Sequence, residues 1–582
     1  MIIFGAEGRL TRLVAERLRA SAAAESCGVV TREARGGSRL GGGRQDTPAF
    51  EGGAGAAVYL ALARSRDGVF PDLADAEAAF RESAAAGVRR LLLVTSAAVY
   101  GANPHNIGLL PETTPVPRAE AATVCGAWAR LEALAAGHFG AQTGGDLVVL
   151  RHAPAPARDG RDYFSRLLGR RVAFALPGHD PSLQLLDPED LAEAVGLAFE
   201  KARPGVYNVA PDGVVPLRAA LRLAGARRVP VPRLLQRATR AALAPRGHAS
   251  PAGQLDFIRY PWTVSNERLK AETGFAPRRS SAEAAARFAG QAGGAAPGGR
   301  AEFDDFGMDE RYAAAYGRTL FGFLERVYWR VEVEGLEHVP AEGRAVLAGT
   351  HRGFMPFDAV IALNLVGRHA GRYPRFLIHP GLIKFPFLFN FHTKLGGVVA
   401  CQENADRLLA RGELLGIYPE GIRGAFSLYR DAYRLGKFGR DEFVRAAIRN
   451  RAPIIPFVNV GSAEIFPIIA KLDWRWWKRN TEWPCFPITP TWPLFGPLPL
   501  PSKWHVRFLP ALHVEQRHPP EAAEDPAAVR AVSLEVRGMM ETAIAEMLSR
   551  RKHIFWGSVF EDRARREEAT AIPGGNGRPH KL

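Results

Sequence analysis

His351 and Asp358 stand seven positions apart in Gly349-Thr350-His351-Arg352-Gly353-Phe354-Met355-Pro356-Phe357-Asp358. Downstream comes Tyr418-Pro419-Glu420-Gly421-Ile422-Arg423. An imidazole can take the proton of a hydroxyl, and a carboxylate behind it fixes its tautomer and stabilises the imidazolium. That set suits transfer of an acyl group onto a hydroxyl. His351 and Asp358 are therefore the candidate catalytic pair. Backbone amides near Gly421 are candidates to meet an oxyanion. Glu420 would shape the turn or orient the acceptor, and Arg423 would grip a phosphate or another anionic group on it.

The spacing sets a geometric condition. In a continuous α-helix an offset of seven residues spans about 10.5 Å, too far for a hydrogen bond. Gly353 and Pro356 relieve it by favouring a turn, with Pro356 near the first position of a helix through Ala359 to Leu365. The carboxylate can then fold back onto the imidazole.

A second candidate site opens the chain. Gly5-Ala6-Glu7-Gly8-Arg9-Leu10-Thr11 follows an apolar strand and starts a helix, where glycines let a pyrophosphate approach a helix N-terminus. Thr11 stands where a third glycine would. Glu7 places a carboxylate near the phosphates, offset by Arg9 or Arg12. Arg32, at the end of the second strand, would suit a 2′-phosphate and favour NADP over NAD.

These residues need elements to hold them. The first region alternates strands (Met1–Phe4, Ala57–Leu60, Leu91–Thr95) with helices (Leu10–Ala20, Asp75–Ala86), which predicts a parallel sheet covered by helices. The run Gly290–Arg300 reads GQAGGAAPGGR and cannot pack. The second region predicts an amphipathic helix over Met308–Trp329 and strands at Ala345–Ala348, Leu414–Tyr418 and Pro453–Val458. A closing helix is expected over Glu521–Arg551. The expected division is residues 1–289, a linker 290–306, residues 307–556 and a polar tail 557–582.

Composition bounds the partners. The chain has 582 residues, 47% of them hydrophobic and 23% charged, with a net charge of +16. It is globular, has more than one core, and suits a polyanionic partner or surface. Cys27, Cys125, Cys401 and Cys485 form no CxxC pair, which argues against a zinc site or disulfide framework and fits a reducing cytoplasm. No uncharged apolar run reaches about 18 residues and no leader is visible, so any membrane role is expected to be peripheral. Trp474-Arg475-Trp476-Trp477-Lys478-Arg479 and Trp483 interleave indoles with cations, as a membrane interface favours. Phe385–Phe391 and the Met308–Trp329 helix would add apolar insertion. The alternative use of these aromatics is to fill a core or line an acyl tunnel. No nucleic-acid reader accompanies them.

Two resemblances follow. Residues 1–289, through Ala86–Leu91, Thr95–Gly101, Leu186–Ala192, Val206–Val209 and Glu267–Phe275, resemble the extended short-chain dehydrogenase/epimerase family. That implies a Rossmann doubly wound parallel sheet with NADP or NAD at Gly5, Gly8, Arg9, Arg32 and Ser96. The family's Tyr-x-x-x-Lys pair falls at Val124 and Trp128, which cannot perform its proton transfer, and Tyr100 belongs to a segment that mainly packs.

The stretch 307–556 resembles the glycerolipid acyltransferases. It does so through the His-Asp box, the Pro-Glu-Gly-x-Arg turn, Gly396–Ala400, Gly436–Arg440, Phe443–Ala447 and Ala452–Pro456. This resemblance implies an α/β acyltransferase domain, acyl-CoA or acyl-carrier protein as donor, a glycerolipid or lysophospholipid hydroxyl as acceptor, and Arg445 beside Arg423 in acceptor binding. No metal is implied. The box departs from the family's usual four intervening residues; here there are six. The expected protein is an O-acyltransferase on the inner face of the membrane with a non-catalytic nucleotide-binding domain. The alternatives are an NADP-dependent oxidoreductase coupled to an acyltransferase, and a nucleotide sensor regulating one.

Overall fold

The computed structural model describes residues 1–21, 28–31, 55–61, 70–106, 108–117, 123–160, 162–230, 254–290, 303–439 and 441–560. Arg32, most of the expected linker and most of the tail lie outside the described residues. Packing divides the chain into two units, Met1–Arg311 with Pro380–Glu403, and Tyr312–His379 with Asn404–Leu582.

The first unit is built on a six-stranded sheet. Its strands are β1 (Ile2–Gly5), β2 (Gly28–Thr31), β3 (Ala56–Leu60), β4 (Arg90–Ser96), β5 (Asp146–His152) and β6 (Gly205–Val209). The order is β2-β1-β3-β4-β5-β6 and every pairing is parallel. Ile3 pairs with Val29 on one side and Val58 on the other. Short Val/Leu/Ile runs suit such strands because helices bury both faces. α1 (Arg9–Arg19) buries Leu10, Val14 and Leu18, one stripe at a spacing of four. α2 (Leu73–Ala85) starts at Asp72, whose side chain accepts the Asp75 amide. α3 (Val124–Phe139) and α4 (Pro188–Lys201) add to the covering. The strand order reverses between β1 and β3, and at such a point a doubly wound sheet opens its ligand crevice at the carboxyl ends of the strands.

This unit also holds the helix Pro386–Lys394, where the Asn390 amide donates to the Gly178 carbonyl at 2.7 Å. Of the aromatics expected to insert there, Phe387 is exposed and Phe389 is buried.

In the second unit the sheet runs β7 (Glu332–Glu334), β14 (His505–Phe508), β11 (Ile454–Val460), β8 (Ala345–Gly349), β10 (Leu414–Ile417), β9 (Arg375–Ile378). β8 is central, parallel to β10 and β11, and fully buried. It delivers the chain to the His351 loop, and α5 (Phe357–Ala370) carries it away. α6 (Ile422–Ala425) follows β10, and α7 (Glu442–Arg449) precedes β11. A separate hairpin pairs β12 (Ala470–Leu472) with β13 (Phe486–Ile488) around α8 (Arg475–Thr481).

Two expected helices are corrected. Met308–Trp329 is not continuous: Glu310–Arg318 gives way at Thr319 (ψ −97°) to Leu320–Phe323 and then a π-helical turn, Leu324–Tyr328. The wider turn brings Glu325 inward, where it accepts from Asn364 and Arg368 of α5. The closing helix, α9 (Pro526–Arg550), begins later than Glu521. Pro526 occupies its first turn and the Asp525 carboxylate accepts the Ala527 amide, so the chain is capped there.

Candidate active site

The turn required by the His–Asp spacing is present. Gly353 takes φ 72°, in the left-handed region open to glycine, and α5 starts immediately after Pro356. Asp358, in the first turn of α5, folds back so that its Oδ2 meets His351 Nδ1 at 2.7 Å. The same oxygen accepts the Arg352 amide at 3.0 Å, and Oδ1 accepts the Ala359 amide at 2.9 Å. The Asp358 side chain is 0% exposed, whereas His351 keeps 15% of its side-chain surface open. With Nδ1 engaged, Nε2 is the nitrogen left for a substrate proton. The ring lies on Tyr418, with centroids 4.7 Å apart and planes 26° apart, and Tyr418 in turn stacks on Phe376. Burial, reinforced by the Asp358 charge, raises the Tyr418 phenol well above its ordinary range.

Arg352 is a residue the sequence reading passed over. It is buried, and its guanidinium grips Glu420 twice, at 2.7 and 3.2 Å. It also donates to the carbonyls of His351, Ala432 and Arg434. Glu420 accepts the Gly436 amide at 2.6 Å as well. This pair pins the His351 loop to the Pro-Glu-Gly turn and to the 432–436 segment. The signal available was an arginine directly after the histidine and an acid in the second motif, but nothing in the spacing pairs them.

The other expected acceptor residues divide. Glu420 is committed to Arg352 and orients the two motifs rather than facing outward. The Gly421 amide donates to the Tyr418 carbonyl at 2.8 Å, closing the turn, which removes it as an oxyanion donor. Gly424 lets α6 approach: a Cβ there would lie 2.8 Å from the Glu420 Cβ and 3.2 Å from the His351 carbonyl oxygen. Arg423, on the first turn of α6, is exposed and has no ion-pair partner among the described residues, so its charge is available. Arg445 is directed elsewhere: it donates to the Ala523 carbonyl and lies beside Glu442 and Glu524.

The aromatic run also divides. Trp474 and Trp476 are exposed, 48% and 53%. Trp477 turns inward onto Phe486 and Trp483. Trp483 and Trp492 meet Phe354 of the His351 loop. A continuous chain of rings therefore joins the loop after His351 to the exposed indoles. Ile469, Leu472, Leu494, Phe495 and Leu498 are exposed around the same hairpin.

The crevice of the first unit is furnished differently. Gly5 lies against Thr11, whose Oγ1 would sit 2.8 Å from an added Cβ and which donates to the Ala6 carbonyl. Thr11 thus fills the contact a third glycine would leave open. The Arg9 amide, opening α1 after Gly8, donates to Asp159 Oδ2 at 2.6 Å, and the Arg9 side chain to Glu189 at 3.2 Å. The Ser96 hydroxyl accepts the Ala98 amide as a cap. Val124 and Trp128, at the Tyr and Lys places, are buried on α3. Tyr100 is buried with its hydroxyl donating to Asn208 at 2.9 Å. The space lined by Ala97, Gln184 and Trp262 at the end of β4 holds about 10 Å³, room for one water at most. Among the described residues, the first amide of α1 and this space are not open to a dinucleotide in this form. Among the described residues no group of three His, Cys, Asp or Glu is placed to hold a metal, and no helix is long and apolar enough to cross a membrane.

The acyltransferase family matches residues 330–460, which include the box and the Pro-Glu-Gly turn. An uncharacterized protein of Mycobacterium tuberculosis is 36% identical over 259 residues, 44% of this chain and 72% of that protein. Phytyl ester synthase 2, chloroplastic, of Arabidopsis thaliana is 33% identical over 146 residues, 24% of this chain and 20% of that protein. Among solved structures, the UDP-glucose 4-epimerase of Thermotoga maritima matches 50% of this chain and 99% of its own, at 16% identity and a TM-score of 0.37. At that level the likeness adds nothing to what the parallel strand order already establishes.

Proposed function

We propose, from the premise that the chain belongs to the acyltransferase family, that its C-terminal half moves a fatty acyl group from an acyl thioester to a lipid hydroxyl. The observation that carries this reading is the His351 Nδ1–Asp358 Oδ2 contact of 2.7 Å, with the carboxylate sealed and the imidazole open. His351 Nε2 takes the acceptor's proton as its oxygen attacks the thioester carbonyl. Asp358 fixes the tautomer and stabilises the imidazolium. The tetrahedral intermediate collapses by breaking the C–S bond, and the imidazolium returns its proton to the thiolate. The Gly424 amide bonds the Gly421 carbonyl, so the Ile422 and Arg423 amides of α6 are the candidates for the oxyanion. The free charge of Arg423 favours an anionic acceptor, such as a phosphate-bearing glycerolipid. The donor is acyl-CoA or acyl-carrier protein. The name of the Arabidopsis relative, an ester synthase, supports a hydroxyl as acceptor.

The lipid reaches the site from a surface. The exposed Trp474 and Trp476, flanked by Arg475, Lys478 and Arg479, suit an anionic membrane face, and the ring chain inward to Phe354 suits an acyl chain. This supports a cytoplasmic protein held peripherally. Lipid profiling of cells making wild-type protein and His351→Ala tests the reading. One acylated lipid class should rise with the wild type alone; identical profiles at equal expression and folding would reject it.

A further inference from the structure

The helix that follows β1 is where a doubly wound sheet receives the pyrophosphate of a dinucleotide, because its first amides and its dipole both favour an anion. In this chain an anion from the chain itself is already there. α1 has no cap from its own first residues and no acid in its first turn. The Arg9 amide instead donates to Asp159 Oδ2 at 2.6 Å, across 150 residues of sequence. Gly8, whose lack of a side chain would serve a phosphate, leaves room for this carboxylate: a Cβ there would lie 3.4 Å from Asp159 Oδ2.

The segment that brings Asp159 is anchored at several points. It leaves the end of β5, and the Ala157 amide donates to Ser165 Oγ at 2.9 Å. The Gly160 amide closes a turn on the Ala157 carbonyl. Arg158 Nε donates to the Phe288 carbonyl at 2.8 Å, and its guanidinium carbon lies 4.2 Å over the Phe288 ring.

The neighbouring charges are matched in the same way. Arg9, the cation nearest the helix mouth, is spent on Glu189. Glu189 is also held by Arg279 and Arg287, whose charges, Arg287 first, keep its carboxyl down to about 2. A pyrophosphate entering here would meet Asp159 and Glu189, and Glu7, one position before Gly8, is exposed. Asp159 itself is exposed, so it can leave without opening the core. The depression it borders, lined also by Arg9, Arg12, Leu13, Glu16 and Arg158, measures about 520 Å³, and without Asp159 its lining keeps three arginines against Glu16.

We infer that the N-terminal half, as folded, is closed to dinucleotides. Asp159 holds the pyrophosphate's place on α1, and a nucleotide enters only when that carboxylate is displaced. The fold of a dinucleotide domain is thus kept with its own acid as the occupant.

Binding of inorganic pyrophosphate, NAD and NADP to the full chain, followed by calorimetry, tests this. The variants are Asp159→Ala, and Asp159→Asn, which removes the charge and keeps the shape. Both variants should bind pyrophosphate and at least one dinucleotide ten-fold or more tighter than the wild type, with unchanged circular dichroism. Equal affinity in wild type and variants overturns the inference. Equal tight binding would mean the place was never closed, and equal absence that Asp159 is not what closes it.

Discussion

Both halves of this chain set an aspartate against backbone amides near a helix start, with opposite results. In the C-terminal half Asp358 is sealed in the first turn of α5, takes two amides, and spends its remaining capacity on His351 Nδ1. The carboxylate is fixed so that a base can stay open. In the N-terminal half Asp159 arrives from a distant loop, takes the first amide of α1, and fills the place a ligand would use. The two acids differ in what they meet beyond the amides: a histidine ring in one half, the start of a distant helix in the other.

The comparison breaks most sharply at Arg352. If the buried Arg352–Glu420 pair is what joins the two motifs, Glu420→Ala strands a buried guanidinium. It should then destabilise the protein by about 3–5 kcal/mol, read by chemical denaturation. The Arg9–Glu189 pair of the other half, 29% and 30% exposed, lies nearer solvent and should cost less by the same measure. Equal effects would mean the two halves are wired alike.

A smaller effect follows from His505. Burial, chiefly, lowers its pKa to about 4. A histidine whose folded pKa lies below its unfolded value binds its proton more readily when unfolded. Stability should therefore be full above about pH 6.5 and fall as pH drops toward 4, by about 2–3 kcal/mol for this group. Denaturation at a series of pH values should show a shallower acid fall in His505→Gln than in the wild type. An unchanged slope would assign the fall to other groups, such as His392, whose pKa burial also lowers.

The mildest expected change concerns the surface. Trp474→Ser with Trp476→Ser should release folded protein from anionic vesicles several-fold in a flotation assay, with the melting temperature unmoved. Trp477→Ser should instead lower that temperature, since Trp477 packs on Phe486 and Trp483. Retention of the double variant on vesicles would move the docking face away from this hairpin.

Local features of both halves were legible in the residues. The strands at Leu91–Thr95 and Ala345–Ala348, and the turn from Gly353 to Pro356, follow from short apolar runs and from glycine and proline chemistry, which act over a few positions. The His351–Asp358 contact was readable because both partners sit on one turn. The long-range pairings were not readable. Arg352 meets Glu420 across 68 positions, and Asp159 meets Arg9 across 150, and nothing in composition marks either pair. The broken helix at Thr319 was hidden for a similar reason: Gly317 lies against Asn364 Oδ1, 2.6 Å from where a Cβ would be, a constraint set by α5. Arg445 looked like a ligand for an anion because an arginine's partners cannot be read from its own segment; here they lie around Ala523.

The central claim is that one half of the chain performs chemistry and that His351 performs its proton transfer. Acyl transfer from acyl-CoA or acyl-carrier protein to a lysophospholipid by purified full-length protein tests this most directly. Wild type, His351→Ala and Ser96→Ala are compared in one assay. The expected result is a loss of about 10²–10⁴-fold in kcat for His351→Ala and wild-type rates for Ser96→Ala. Activity of His351→Ala within a few-fold of wild type, or a comparable loss from Ser96→Ala, would contradict the claim.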